Sequence, residues 1–268
     1  MCGQSGIIMG TKERGSEEIR HLQKLFIYLL LRSEGRGPHA TGAAWLERDG
    51  EHRIYKRPVR ASEFVKDRAF AELLAGVSQS TTWLAGHTRW QTRGDARNNS
   101  NNHPLRASRL LGTVNGTITN ADELFEQLRL PRHAEVDSEL LLRIADAILR
   151  DGRIDLQELK KRLILFCGQL SAVMASKTDP ETIVVVKGNK PLHLRYHDES
   201  NIIVYASGRA YLDGVLLPTL GWREVRVRPM SIARFHCDDL MGFSYVPFRL
   251  ANNFRRLTDW EDEETNDI

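Results

Sequence analysis

Cys2 follows the initiating methionine, and its small side chain makes removal of Met1 chemically reasonable. The product would carry a nucleophilic thiol and a free α-amine on one residue. Such an amine, with an ordinary pKa of about 7.7–8.0, can accept the thiol proton and later return it. Thiol and base then share one α-carbon, and no separate histidine is required. A Met-Cys start says little alone, so its weight depends on the polar stretches that follow.

Those stretches are Arg36-Gly37-Pro38-His39-Ala40-Thr41-Gly42, Gly86-His87-Thr88-Arg89-Trp90-Gln91-Thr92-Arg93-Gly94, Asn102-His103-Pro104-Leu105, Asn115-Gly116 and Asp137-Ser138-Glu139. Each has a plain structural alternative. Arg89 fits a structural ion pair, Asp137 a helix cap, and Asn115-Gly116 a tight turn, the usual meaning of that dipeptide. His87 and His103 lack two further ligands at sensible spacing, so no metal is expected; both read as structural hydrogen-bonding residues near the site. Cys167 beside Phe166 and Cys237 after a strand read as inert thiols.

The elements that would position these residues follow from periodicity. Gly3 to Met9 predicts a short buried strand. Ser16 opens a helix in which Leu22, Leu25, Phe26, Leu29 and Leu30 form one apolar stripe. Ala43–Leu46 and Arg53–Lys56 flank Asp49-Gly50 as a hairpin. Thr82–His87 and Leu110–Val114 are strands running into polar loops. Asp122–Leu128, Ser138–Leu149 and Leu156–Leu165 are helices, the middle one ended by Asp151-Gly152. Leu170–Ala175, Ile183–Lys187, Leu192–Tyr196 and Ile202–Ala206 have the rhythm of an antiparallel meander. Val225–Arg228 with Ile232–Phe235 predicts a final hairpin. Strands at both ends and helices in two groups suggest an α+β fold of two antiparallel sheets between helical layers.

The bulk properties exclude several classes. Lys and Arg number 38 against 35 acids, a net charge of +3, which gives no reason to expect a nucleic-acid partner. No apolar run approaches the ~20 residues that span a bilayer, and the start lacks the pattern of a signal peptide. Three cysteines form neither a disulfide framework nor a CxxC pair, so the cytoplasm is the expected location. The acidic end, Asp259 to Ile268, is expected to be a disordered tail. The domain is placed at residues 2–250 and a C-terminal extension at 251–268.

Taken in order, the Cys-Gly start, Gly-His-Thr-Arg-Trp, Asn-Gly and Asp-Ser-Glu resemble the class-II glutamine amidotransferases, members of the N-terminal-nucleophile hydrolases. The resemblance runs from Cys2 to about Phe235. It implies a four-layer αββα sandwich and hydrolysis of L-glutamine to glutamate and ammonia, without a cofactor. Cys2 would form a γ-glutamyl thioester, and Asn115 and Gly116 the oxyanion hole. Arg89 would grip the α-carboxylate, and Asp137 the α-ammonium. Trp90 and Thr92 would begin a glutamine-covering lid, and Arg36 would help hold the terminal residue. His39, Val114 and Arg93 depart from common family residues, though none removes a group essential to thioester chemistry. With no phosphate loop and no second domain of comparable size, the ammonia acceptor is expected to be a separate synthetase. The alternatives are an amidase acting on a larger γ-glutamyl amide and a non-catalytic glutamine-binding module.

Overall fold

The computed structural model describes residues 2–216 and 221–251. Among them the chain order is β1 (Gly3–Met9), α1 (Ser16–Ser33), β2 (Ala40–Glu47), β3 (His52–Arg57), α2 (Ala61–Phe64), α3 (Arg68–Ala75), β4 (Thr81–Arg89), β5 (Leu105–Arg106) and β6 (Leu110–Ile118). Then come α4 (Ala121–Gln127), α5 (Glu139–Ala147), β7 (Leu149–Arg150), β8 (Arg153–Ile154), α6 (Leu156–Leu163), β9 (Gly168–Ser176) and β10 (Asp179–Lys187). The last elements are β11 (His193–His197), β12 (Ile202–Ala206), α7 (Arg209–Asp213), β13 (Trp222–Glu224), β14 (Ser231–His236) and β15 (Asp239–Pro247).

Two antiparallel sheets dominate, in the orders β13-β11-β12-β1-β4-β2-β3 and β15-β14-β10-β9-β6-β5. Side-chain alternation along the strands divides the buried apolar residues among three cores. Ile7 and Met9 of β1, Leu84 of β4 and Val204 of β12 pack with Leu22, Phe26, Leu29 and Leu30 of α1 and with Phe64 and Phe70. Their neighbours Ile8, Trp83, Ala85 and Tyr205 point the other way, against Leu111, Val173, Ile183 and Val185 of the second sheet. Val114, Ala172, Met174 and Val184 then face Leu140, Leu141, Leu159 and Leu163 of α5 and α6. Three apolar cores require four layers, helix-sheet-sheet-helix. Because the central strands are covered on both faces, they read as nearly continuous apolar runs in the sequence.

Several local expectations change. The four strands predicted as one meander divide between the sheets: β9 pairs with β10 in one, and β11 with β12 in the other. Their apolar runs are long enough for either sheet, so pairing depends on three-dimensional layering. Val225 and Val227 are buried between the sheets but lie outside any strand, and the final hairpin is β14 with β15. Asp151 and Gly152, both at positive φ, turn the small β7–β8 hairpin after α5 has ended at Ala147. β10 begins at Asp179, with a register irregularity before Ile183. The predicted acidic tail lies outside the described residues.

Candidate active site

Three strand ends form the site. In β1, Gly3 pairs with Thr88 and Gln4 with His87, so the start of β1 meets the end of β4. A Cβ on Gly3 would lie 2.4 Å from Thr88 Oγ1 and 2.7 Å from the Ser33 carbonyl; glycine permits this close approach. The third strand, β6, faces these two from the other sheet. Leu111 packs between the sheets with Ile8, and Gln4 Nε2 donates to the Thr113 carbonyl at 2.8 Å. Continuing by twos along β6, the Asn115 side chain falls on that same inner face. It lies toward the end where Cys2 and Arg89 stand.

Cys2 is half-buried. Its Sγ accepts from the Trp90 backbone N–H at 3.4 Å and lies 3.6 Å from the Trp90 carbonyl. Burial pushes the thiol above its ordinary pKa, while the Trp90 backbone and the Arg89 and Arg36 guanidiniums pull the other way. Arg36 ends the turn after α1 and donates to the Ser207 carbonyl at 3.0 Å. The Ser207 hydroxyl receives the Gln4 N–H at 3.1 Å, tying the ends of β1 and β12 together.

Arg89 is buried at the end of β4. It donates to Asn102 Oδ1 and the Gly94 carbonyl, each at 2.8 Å, and to the Arg93 carbonyl. Three of its five N–H donors therefore hold the following loop, leaving two for a ligand. Trp90 is 44% exposed on that loop, and Thr92 is exposed with no hydrogen bond among the described residues. The loop is pinned elsewhere. The Gln91 N–H donates to His39 Nδ1 at 2.9 Å, the His39 and Trp90 rings lie 5.0 Å apart, and Arg93 pairs with Asp122 at 2.7 Å. Two of the family departures, His39 and Arg93, thus anchor the loop.

Asn115 and Gly116 lie within β6, which continues to Ile118, rather than in a turn. Asn115 is 1% exposed, and its Nδ2 has no hydrogen-bond partner among the described residues. A buried, unpaired amide donor is costly unless something fills the space before it. Gly116 has φ +153, and a Cβ there would lie 2.0 Å from the Gln169 carbonyl oxygen. Asp137, also buried, precedes α5 and accepts from the Ile118 N–H. Burial raises its pKa, while the N–H groups of Ile118, Asp137 and Ser138 oppose the rise.

The His87 and His103 rings lie against each other with centroids 4.2 Å apart, tilted by 31°. His87 contacts the Val114 carbonyl through Nε2 at 3.2 Å, but neither ring nitrogen of His103 has a partner among the described residues. The hydrogen-bonding expectation therefore holds for His87 alone. Burial pushes His87 down to about 3, and takes His103 well below its ordinary value. The only group of three acids close enough to share a cation among the described residues is Glu47, Asp49 and Glu51, on the partly exposed β2–β3 turn. Sequence reasoning misses the supporting roles of Gln4, Asn102 and Ser207. Gln4 gave a signal, as a large polar side chain in a buried apolar strand needs partners. It donates to the Thr113 carbonyl and hydroxyl and accepts from Ser171, joining the sheets.

No family model matches the chain. It is 30% identical over 227 residues to the glutamine–fructose-6-phosphate aminotransferase of Bradyrhizobium diazoefficiens, covering 84% of this chain and 34% of that one. The 7-cyano-7-deazaguanine synthase of Sulfolobus acidocaldarius is 23% identical over 261 residues, covering 96% and 52% respectively. The chain thus spans between about a third and a half of the length of these curated relatives. In fold it matches the glutamine phosphoribosylpyrophosphate amidotransferase of B. subtilis, with a TM-score of 0.68 and 20% identity over 92% of this chain and 49% of that one. Two stacked antiparallel sheets between helical layers define the N-terminal-nucleophile hydrolase fold. Within it, the chain is a class-II glutamine amidotransferase domain.

Proposed function

We propose that residues 2–250 form a glutaminase that releases ammonia from L-glutamine through Cys2, with 251–268 as an extension. After Met1 is removed, the Cys2 α-amine takes the thiol proton and Sγ attacks the side-chain amide carbon. The S–C bond forms and the carbonyl oxygen takes the negative charge; collapse of this intermediate breaks the C–N bond, and ammonia leaves with the returned proton. Water then cleaves the γ-glutamyl thioester to glutamate and frees the thiol.

Asn115 Nδ2 and the Gly116 N–H receive the oxyanion. Arg89 binds the α-carboxylate with its two remaining donors, and Asp137 binds the α-ammonium. Trp90 and Thr92 cover the bound amino acid, and Arg36 steadies the terminal segment through Ser207. Positioning of this kind can supply roughly 7–11 kcal/mol of the barrier. The observation that carries the reading is Asn115 Nδ2, a buried donor without a partner on the inner face of β6, toward the Cys2 end.

Relatives named as a synthase and an aminotransferase support an ammonia acceptor, here a separate synthetase subunit in the cytoplasm. No helix of the described residues is long and apolar enough to cross a membrane. The test is glutamate and ammonia release from L-glutamine by the processed chain beside Cys2→Ala. Release that depends on Cys2 supports the reading, and equal release by both chains sinks it.

A further inference from the structure

The edge strands of the two sheets, β3 and β5, flank a second concavity of about 730 Å³. Ile54, Leu105, Ala107 and Ala134 supply apolar lining, and Ser100 and Ser108 supply hydroxyls. Lys56 from β3, Arg106 from β5 and Lys177 from the β9–β10 turn converge on it, with His133 and Arg143 also on the wall.

The charge balance is one-sided. Glu139 is the single acid on this wall. It is already paired with Arg143 at 2.6 Å and accepts from the backbone N–H groups of His133 and Ala134. Asp146, which acts on Lys177 from α5, receives the Arg109 backbone N–H at 2.8 Å and lies 3.5 Å from its guanidinium. Lys56 Nζ donates to the Asn102 carbonyl at 2.8 Å. Among the described residues, Lys56, Arg106 and Lys177 have no carboxylate partner within ion-pair distance. Three cations on one wall, none with a carboxylate within ion-pair distance among the described residues, raise the local concentration of anions.

Burial, ahead of the neighbouring cations, lowers both lysines on this wall. Burial, then Arg106 and Arg89, lowers Lys56 to about 8. Lys177 is lowered by burial and then by Arg106. The volume lies within the range of small-molecule sites and exceeds a bare phosphate. Apolar lining beside the cations suits a body attached to that anion.

We propose that this cavity binds a phosphate-bearing small molecule, with Lys56, Arg106 and Lys177 as the phosphate ligands. The site is distinct from the glutamine site and does not depend on glutaminase activity. Asn102 links the two, its carbonyl taking Lys56 and its side chain taking Arg89.

Inorganic pyrophosphate, titrated calorimetrically into the full chain at low and raised salt, tests the assignment. One saturable site is expected, weakening as salt rises. Arg106→Gln and Lys177→Gln, whose side chains are exposed and half-buried and can be lost without disturbing the core, should each weaken binding roughly tenfold or more. Lys56→Gln should do the same. Arg97→Gln, on the neighbouring concavity around Gln91, Arg132 and Glu135, should leave it unchanged. Above pH 8, binding should take up a proton at Lys56, read as a dependence of the heat on buffer ionisation. Absence of saturable binding, or equal affinity in the wild type, Arg106→Gln and Lys177→Gln, overturns the proposal.

Discussion

Acid should destabilise this fold through His87 before it protonates the native imidazole. The group titrates at about 3 in the folded chain against an ordinary 6.5, with burial as the main cause. Above pH 6.5 both folded and unfolded states hold it neutral, and it contributes no pH dependence. Between 6.5 and about 3 the unfolded chain binds a proton that the native chain refuses, so stability falls with pH. Each pH unit in that window costs about 1.4 kcal/mol, and the loss by pH 5 is about 2 kcal/mol. For a domain of this size that corresponds to roughly 4–8 °C in Tm. His87→Gln keeps an amide donor for the Val114 carbonyl and removes the titration. Thermal unfolding of both chains at pH 7 and pH 5, followed by tryptophan fluorescence, should show the wild type losing about that much more than the variant. Equal losses in the two chains would refute the reasoning.

Asn115→Ala should lower kcat for glutamine by about 10²–10³ with a smaller effect on KM, measured by steady-state glutamate release. Its Nδ2 has no protein partner to lose, so the fold should persist; an unchanged kcat would remove Asn115 from the oxyanion hole. Gly116→Ala should destabilise the chain by roughly 2–5 kcal/mol, from strain at positive φ and a Cβ driven against β9. The clash is with the Gln169 carbonyl oxygen at 2.0 Å and Leu170 Cα at 2.6 Å. A denaturant midpoint matching that of Gly35→Ala, where a Cβ meets nothing within 4 Å, would contradict that account.

Elements with strong local periodicity were legible in the sequence. β1 and β12 fall at Gly3–Met9 and Ile202–Ala206, as their apolar runs predict, and the stripe on α1 is the stripe buried against the first sheet. Strand partners were not legible, since runs such as Ile183–Lys187 and Leu192–Tyr196 say nothing about which sheet will bury them. α2 and α3 went unassigned. α2 is a single turn, whereas α3 carries a readable signal in Phe70, Leu73, Leu74 and its Asp67 cap, which accepts from Ala69. At the candidate site, Cys2, Arg36, Arg89, Asn115, Gly116 and Asp137 could be named from the sequence as residue types in order. Ser207 and the His39 anchor to the loop were not legible, because their partners lie far away in sequence; Gln4 signalled only that it needs partners, and Asn102 holds Arg89, 13 residues before it, from a loop without periodicity. Asn115-Gly116 misleads locally: its usual meaning is a turn, yet the ladder with Ser171 and Leu170 holds it in a strand.

The most direct test of the central claim is glutamate release at saturating L-glutamine from chains whose mass shows Met1 removed, comparing wild type, Cys2→Ala and Cys167→Ala. The account predicts loss of activity in Cys2→Ala and its retention in Cys167→Ala. Activity that survives Cys2→Ala would contradict it.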